Sequence, residues 1–157
     1  MENIKELVEK LTKNNKTIST MESCTGGAIV NEITNIEGAS EIIKFSAITY
    51  SNEYKMKMGV DRSIIEKFSV YSKETAEEMA KKISLYTASD YGIGITGKLN
   101  RIDKNNLYGK DNIVYISIYD KDKDKYHTTT VEAVKQSRKL NKELVVEEVI
   151  KLLSKLV

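Results

Sequence analysis

A layered α/β domain with a mixed sheet is the fold class this sequence predicts. Helical periodicity stands at both ends, strand-like and helix-like runs alternate through the first half, and residues 112–131 carry the pattern of a hairpin. At 157 residues the chain has the size of one domain with one core. It shows no repeat, no low-complexity tract and no linker, so residues 1–157 read as a single domain.

Ile4, Leu7, Val8 and Leu11 recur at helical spacing and predict a helix over 3–14, with Asn3 as its cap. Asn14-Asn15 ends it. Thr17–Met21 reads as a short β-branched strand. After Gly26-Gly27, Ala28, Ile29, Val30 and Ile33 predict a helix. Residues 42–51 read as a second strand, and 62–67 as a short helical piece.

Ser72 then caps a longer helix, with Glu74, Glu77 and Glu78 early in it, where the dipole favours acids. Its buried face is expected to hold Ala76, Met79, Ala80, Ile83 and Tyr86. Tyr91–Thr96 and Asn112–Tyr119 read as strands. Lys125–Val131 is the hairpin partner of the latter, joined through the charged turn Asp120–Asp124. Ser137 opens a last helix carrying Leu140, Leu144, Val145, Val149 and Leu152. The longest irregular stretch is 98–111.

Composition narrows the function. Net charge is +2, with 25 basic and 23 acidic residues interspersed, which gives no broad footprint for nucleic acid or membrane. No window approaches the roughly 18 apolar residues of a membrane span, and the first residues lack the apolar stretch of a signal peptide. With one cysteine, Cys24, an internal disulfide is impossible, and a cytoplasmic location is the expectation. One histidine, His127, leaves too few ligands for a His/Cys zinc site. No metal and no cofactor are expected, and a homo-oligomer is compatible with the reading.

The chemistry concentrates in two strings. In Glu22-Ser23-Cys24-Thr25-Gly26-Gly27, a strand passes through small residues into a helix. Such a turn can expose Ser23 while N–H groups at the helix start point outward to bind an anion or an oxyanion. Gly26 and Gly27 let the backbone approach a ligand closely. A plain tight turn would leave the same trace. In Tyr50-Ser51-Asn52-Glu53-Tyr54-Lys55, at the end of a strand, a lysine held neutral can act as general base and activate a serine. Tyr50 could relay a proton or hold that lysine. For an ordinary lysine the surface reading is the simpler one. Cys24 is expected to pack as a small hydrophobe.

These two strings, with Gly59-Val60, Val70-Tyr71-Ser72-Lys73-Glu74, Met79-Ala80 and Ile95-Thr96-Gly97, resemble the CinA C-terminal domain family over essentially the whole chain. The resemblance implies a three-layer α/β/α sandwich with a mixed sheet, here in stand-alone form. It implies nicotinamide-nucleotide amidohydrolase activity: hydrolysis of the carboxamide of nicotinamide mononucleotide to the acid and ammonia. Ser23 would be the nucleophile, Lys55 the base and Tyr50 an assistant. Thr25, Gly26, Gly27, Thr96, Gly97 and Arg138 would bind the pyridine mononucleotide. Amide hydrolysis needs a nucleophile, a base and an oxyanion site, which agrees with the residues.

The sequence departs from the family pattern in two places. After Ile95-Thr96-Gly97 the family runs into a glycine- and proline-rich loop. Here Lys98-Leu99-Asn100-Arg101-Ile102-Asp103 follows, in a chain without proline, and a rebuilt pocket is the expectation. Of two family arginines four residues apart, Arg138 matches the first, and Lys142 stands at the second. The alternative reading is a divergent homologue, weakly active or inactive, that binds a nucleotide or a partner protein.

Overall fold

Five strands form one sheet, β1 (Ile18–Glu22), β2 (Ile43–Ile48), β3 (Tyr91–Gly97), β4 (Ile113–Asp120) and β5 (Lys125–Glu132), in the order β2-β1-β3-β4-β5. This computed structural model describes residues 4–101, 104–106 and 110–157; Asn3, the expected first cap, lies outside them. β1 pairs in parallel with β2 and with β3, whereas β4 and β5 run antiparallel to their inner neighbours. The sheet is mixed, and the predicted 112–131 hairpin is its antiparallel half.

The helices are α1 (Ile4–Lys13), α2 (Ala28–Thr34), α3 (Asn52–Lys57), α4 (Arg62–Phe68), α5 (Lys73–Thr87) and α6 (Arg138–Leu156). Leu7, Leu11, Ile29, Ile33, Val145 and Val149 bring α1, α2 and α6 onto one face of the sheet. Met79 and Ile83 of α5, with Ile65 of α4, cover Met21 on the other. Three layers, α/β/α, result. No described helix is long and apolar enough to cross a membrane.

Strand periodicity explains how close α5 comes. Tyr91, Ile93 and Ile95 of β3 face the α1/α2/α6 layer, so Gly92 and Gly94 face α5. A Cβ on Gly92 would lie 2.0 Å from the Ala80 carbonyl oxygen, and one on Gly94 2.2 Å from that of Ala76. Because both obstacles are backbone, the helix as a whole would have to lift. Gly94→Ala should therefore cost about 3 kcal/mol, the upper end of overpacking. Urea unfolding measures this, and a loss well under 1 kcal/mol would mean that α5 is not seated on β3.

Three expectations need correction. Tyr86 is 68% exposed: it flanks the α5 stripe, and its ring pairs instead with Phe45 of the edge strand β2, centroids 5.6 Å apart. Leu140 is also exposed, and Asn141 beside it is buried, with its amide exchanging hydrogen bonds with the Lys135 backbone. Most relevant to function, β2 stops at Ile48, and Asn52–Lys57 is helical rather than the end of a strand. Ser51 is the cap, its Oγ accepting the Tyr54 N–H. The caps read at Ser72 and Ser137 accept the N–H groups of Thr75 and Leu140 as expected.

Candidate active site

The site lies beyond the C-terminal ends of the parallel strands, where open α/β sheets hold their ligands. Ser23 follows the last residue of β1, and its N–H donates to the Ile95 carbonyl of β3 at 3.1 Å. The chain then reverses sharply: Gly26 N–H donates to Ser23 O at 2.9 Å, and Gly26 and Gly27 take φ of +62° and +98°. Only glycine takes two successive left-handed values cheaply. α2 can therefore start at once.

Glu22 holds this turn from inside. Its carboxylate is fully buried. Oε1 accepts Thr25 Oγ1 at 2.6 Å and Ile29 N at 3.1 Å; Oε2 accepts Val30 N at 3.1 Å and Thr20 Oγ1 at 3.2 Å. A carboxylate against the positive end of α2 satisfies donors that the helix cannot satisfy itself. The start of α2 is thus capped from within, which corrects the expectation that its N–H groups face a ligand. The amides of Cys24 and Thr25 have no acceptor among the described residues.

Lys55 enters from α3 and is 2% exposed. Its Nζ donates to Ser23 Oγ at 3.0 Å and to the Thr49 carbonyl at 2.7 Å. Thr49 N–H in turn donates to Glu22 O at 2.8 Å, tying the stretch after β2 to the end of β1. The stretch that holds Lys55 and the strand end that carries Ser23 are thus joined through backbone. Ser23 is 7% exposed and Lys55 less, yet both line a cleft of about 670 Å³.

The remaining predicted site residues divide. Tyr50, 64% exposed, lines the cleft, and its hydroxyl accepts Arg138 Nη2 at 3.4 Å. It therefore sits with the arginine that opens α6 rather than on the lysine. Gly97 also lines the cleft. Thr25 and Thr96 are buried with their hydroxyls committed, the first to Glu22 and the second to the Val70 carbonyl at 2.9 Å. Both brace the walls instead of presenting a hydroxyl to a substrate. Gly27 backs onto Ile48, and a Cβ on Gly26 would come within 3.4 Å of Lys142 Nζ.

Cys24 lines the cleft beside the serine. Burial pushes its thiol up to about 12, outweighing the nearby Lys55 and Arg138 charges, which pull it down. At neutral pH it stays protonated and is no competing nucleophile. Cys24→Ala should keep at least half of the activity, and alkylation by iodoacetamide at pH 8 should be far slower than in the unfolded chain. Because the folded thiol titrates above its ordinary value of 9.0, only the unfolded chain ionises between pH 9 and 12. Stability therefore falls across that window.

Residues 2–157 match the family described as the CinA C-terminal domain. The chain belongs to that family. A CinA-like protein of Endomicrobium trichonymphae is 48% identical over 88 residues, 55% of this chain and 21% of the relative. One from Kosmotoga olearia is 44% identical over 98 residues, 61% and 24%. The chain thus matches less than a quarter of the length of these curated relatives.

Among solved structures, the CinA superfamily protein of Escherichia coli superposes with a TM-score of 0.86 at 22% identity, covering 99% of this chain and 91% of that one. A competence/damage inducible protein of Agrobacterium tumefaciens gives 0.84 at 23%, covering 99% and 96%. One described as competence or damage-inducible, from Enterobacter asburiae, gives 0.86 at 24% and full coverage of both. These likenesses concern the CinA fold.

Two contributors to this CinA site had no role assigned from sequence. Glu22 was visible in the motif, but its partners Ile29 and Val30 lie in the first turn of the next helix. Asn52 donates through Nδ2 to Asn106 Oδ1 at 3.2 Å, joining α3 to the loop after β3 across the cleft. No local signal pairs residues that far apart.

Proposed function

We propose that the cleft hydrolyses the carboxamide of a pyridine mononucleotide, nicotinamide mononucleotide to nicotinic acid mononucleotide and ammonia, with Ser23 as nucleophile and Lys55 as base. The carrying observation is the 3.0 Å contact between Lys55 Nζ and Ser23 Oγ at a nearly fully buried point of the cleft. The reading takes Lys55 as the neutral amine, the form a general base needs. A neutral amine that gives one N–H to the Thr49 carbonyl can turn its lone pair to the serine hydroxyl.

The serine proton passes to Lys55 as Oγ bonds to the carboxamide carbon, and the carbonyl oxygen takes the negative charge. The amides of Cys24 and Thr25 are the backbone donors left to receive it. Lys55 returns the proton to the departing nitrogen, the C–N bond breaks, and ammonia leaves an acyl-serine. Water then attacks with Lys55 again taking a proton, which goes back to Ser23 Oγ as the acid departs. Tyr50 and Arg138 would meet the nucleotide's phosphate at the α6 side. The buried lone thiol and mild net charge suit the reducing cytoplasm.

Ammonia release from nicotinamide mononucleotide by the purified chain tests the reading. Release of ammonia and acid in equal amounts supports it. Binding of the nucleotide without release would favour the alternative, a homologue that binds and does not turn over.

A further inference from the structure

The cleft lining carries Lys55, Lys98, Arg101 and Arg138, and no carboxylate among the described residues, in a chain of net charge only +2. Lys55 is explained by the serine, and Arg138 by Tyr50. Lys98 is not. It is 3% exposed, and its Nζ has a single long contact to Asp111 Oδ1 at 3.4 Å, while the Tyr71 ring lies 5.0 Å away. The Asp111 side chain is 46% exposed and lies outside the cleft lining. An ammonium has three donors, and taking it out of water is costly unless they are met. One 3.4 Å contact leaves most of the donor capacity of Lys98 unmet among the described residues.

Position adds to the argument. Tyr71 leads into α5 and Arg138 opens α6, and these helices cover opposite faces of the sheet. Lys98 and Arg138 therefore stand on the two sides of the strand end that carries Ser23. Arg101 joins the Lys98 side, its N–H held by the Asp111 carbonyl and its guanidinium without a partner among the described residues.

We propose that Lys98 and Arg101 form a second anion subsite, so that the preferred substrate carries a phosphate beyond the one met by Arg138: a carboxamide dinucleotide with a pyrophosphate bridge. This deepens, and rests on, the carboxamide-nucleotide reading above. A cleft of about 670 Å³ falls in the ordinary range for nucleotide-sized ligands.

The test is calorimetry on the full chain carrying Ser23→Ala, so that turnover consumes no ligand. The probes are nicotinamide mononucleotide, nicotinamide adenine dinucleotide and inorganic pyrophosphate. The dinucleotide should bind about tenfold tighter than the mononucleotide, the worth of one charge-assisted contact. Lys98→Met should lower that ratio about tenfold. Asp111→Asn removes the competing carboxylate and should tighten pyrophosphate binding, whereas a Lys98 that only anchors the loop through Asp111 would lose affinity. Should Lys98→Met fail to fold, Asp111→Asn alone decides. Equal affinity for the two nucleotides, or pyrophosphate binding that Asp111→Asn weakens or leaves alone, overturns the subsite. Ammonia release from the mononucleotide would stand untouched by either result.

Discussion

Under the proposed mechanism, Ser23→Ala is expected to lower ammonia release at least about a thousandfold while leaving the fold in place. The size of the effect follows from what is lost: without Oγ no acyl-serine can form, and a catalytic unit collapses when any member goes. The fold survives because the structural duties of residue 23 are carried by its backbone, through the bonds to Ile95 O and from Gly26 N. Lys55 keeps the Thr49 carbonyl. Thermal unfolding should therefore shift by about 1 kcal/mol or less. Turnover retained in this variant would mean that water attacks directly, and the covalent route would be discarded.

The largest stability effect belongs to Glu22→Ala. Four donors, Thr20 Oγ1, Thr25 Oγ1, Ile29 N and Val30 N, lose their acceptor at a fully buried position. Each unmet buried donor costs roughly 1–3 kcal/mol, and since relaxation shares the loss, about 3–5 kcal/mol in total is expected. For a chain of this size that lowers Tm by roughly 10 °C or more. Activity should fall with it even well below Tm, since the turn that aims Ser23 loses its brace. Glu22→Gln keeps the shape and should lose less. A Tm within about 2 °C of wild type for Glu22→Ala would show that the carboxylate does not hold the turn.

What the sequence made legible was what is local. Ser72 and Ser137 cap within three residues of themselves, and the hairpin turn at Asp120–Asp124 joins adjacent strands, so composition and periodicity suffice. Ser23 and Lys55 could be named together because two short strings carried the family resemblance; the 3.0 Å contact between them is the structure's contribution. What stayed hidden is what depends on partners far along the chain. Thr96 resembles a pocket residue until Val70 is placed beside it. Tyr86 fits the α5 stripe until its exposed ring is placed beside Phe45 of the edge strand. Lys98 reads only as part of a rewritten loop, and its burial beside Asp111 and Tyr71 is the structure's contribution. Leu99, in the stretch that replaces the family's glycine-rich loop, is buried in the core while still lining the cleft; Ile102 of the same stretch lies outside the described residues.

The lysine reaches the serine across 32 residues of chain, and the backbone bonds from Thr49 to Glu22 and from Ser23 to Ile95 cross between strands that pair in parallel. Parallel pairing is non-local and closes late, because the loop entropy must be met before the contacts form. Helices α1, α5 and α6 can gain most of their structure before β1, β2 and β3 are in register. The Ser23–Lys55 contact is therefore a reporter of the finished sheet: under the proposed mechanism, a chain with native helix content and an unregistered sheet would be inert. Recovered activity after refolding would count only molecules that had completed their topology.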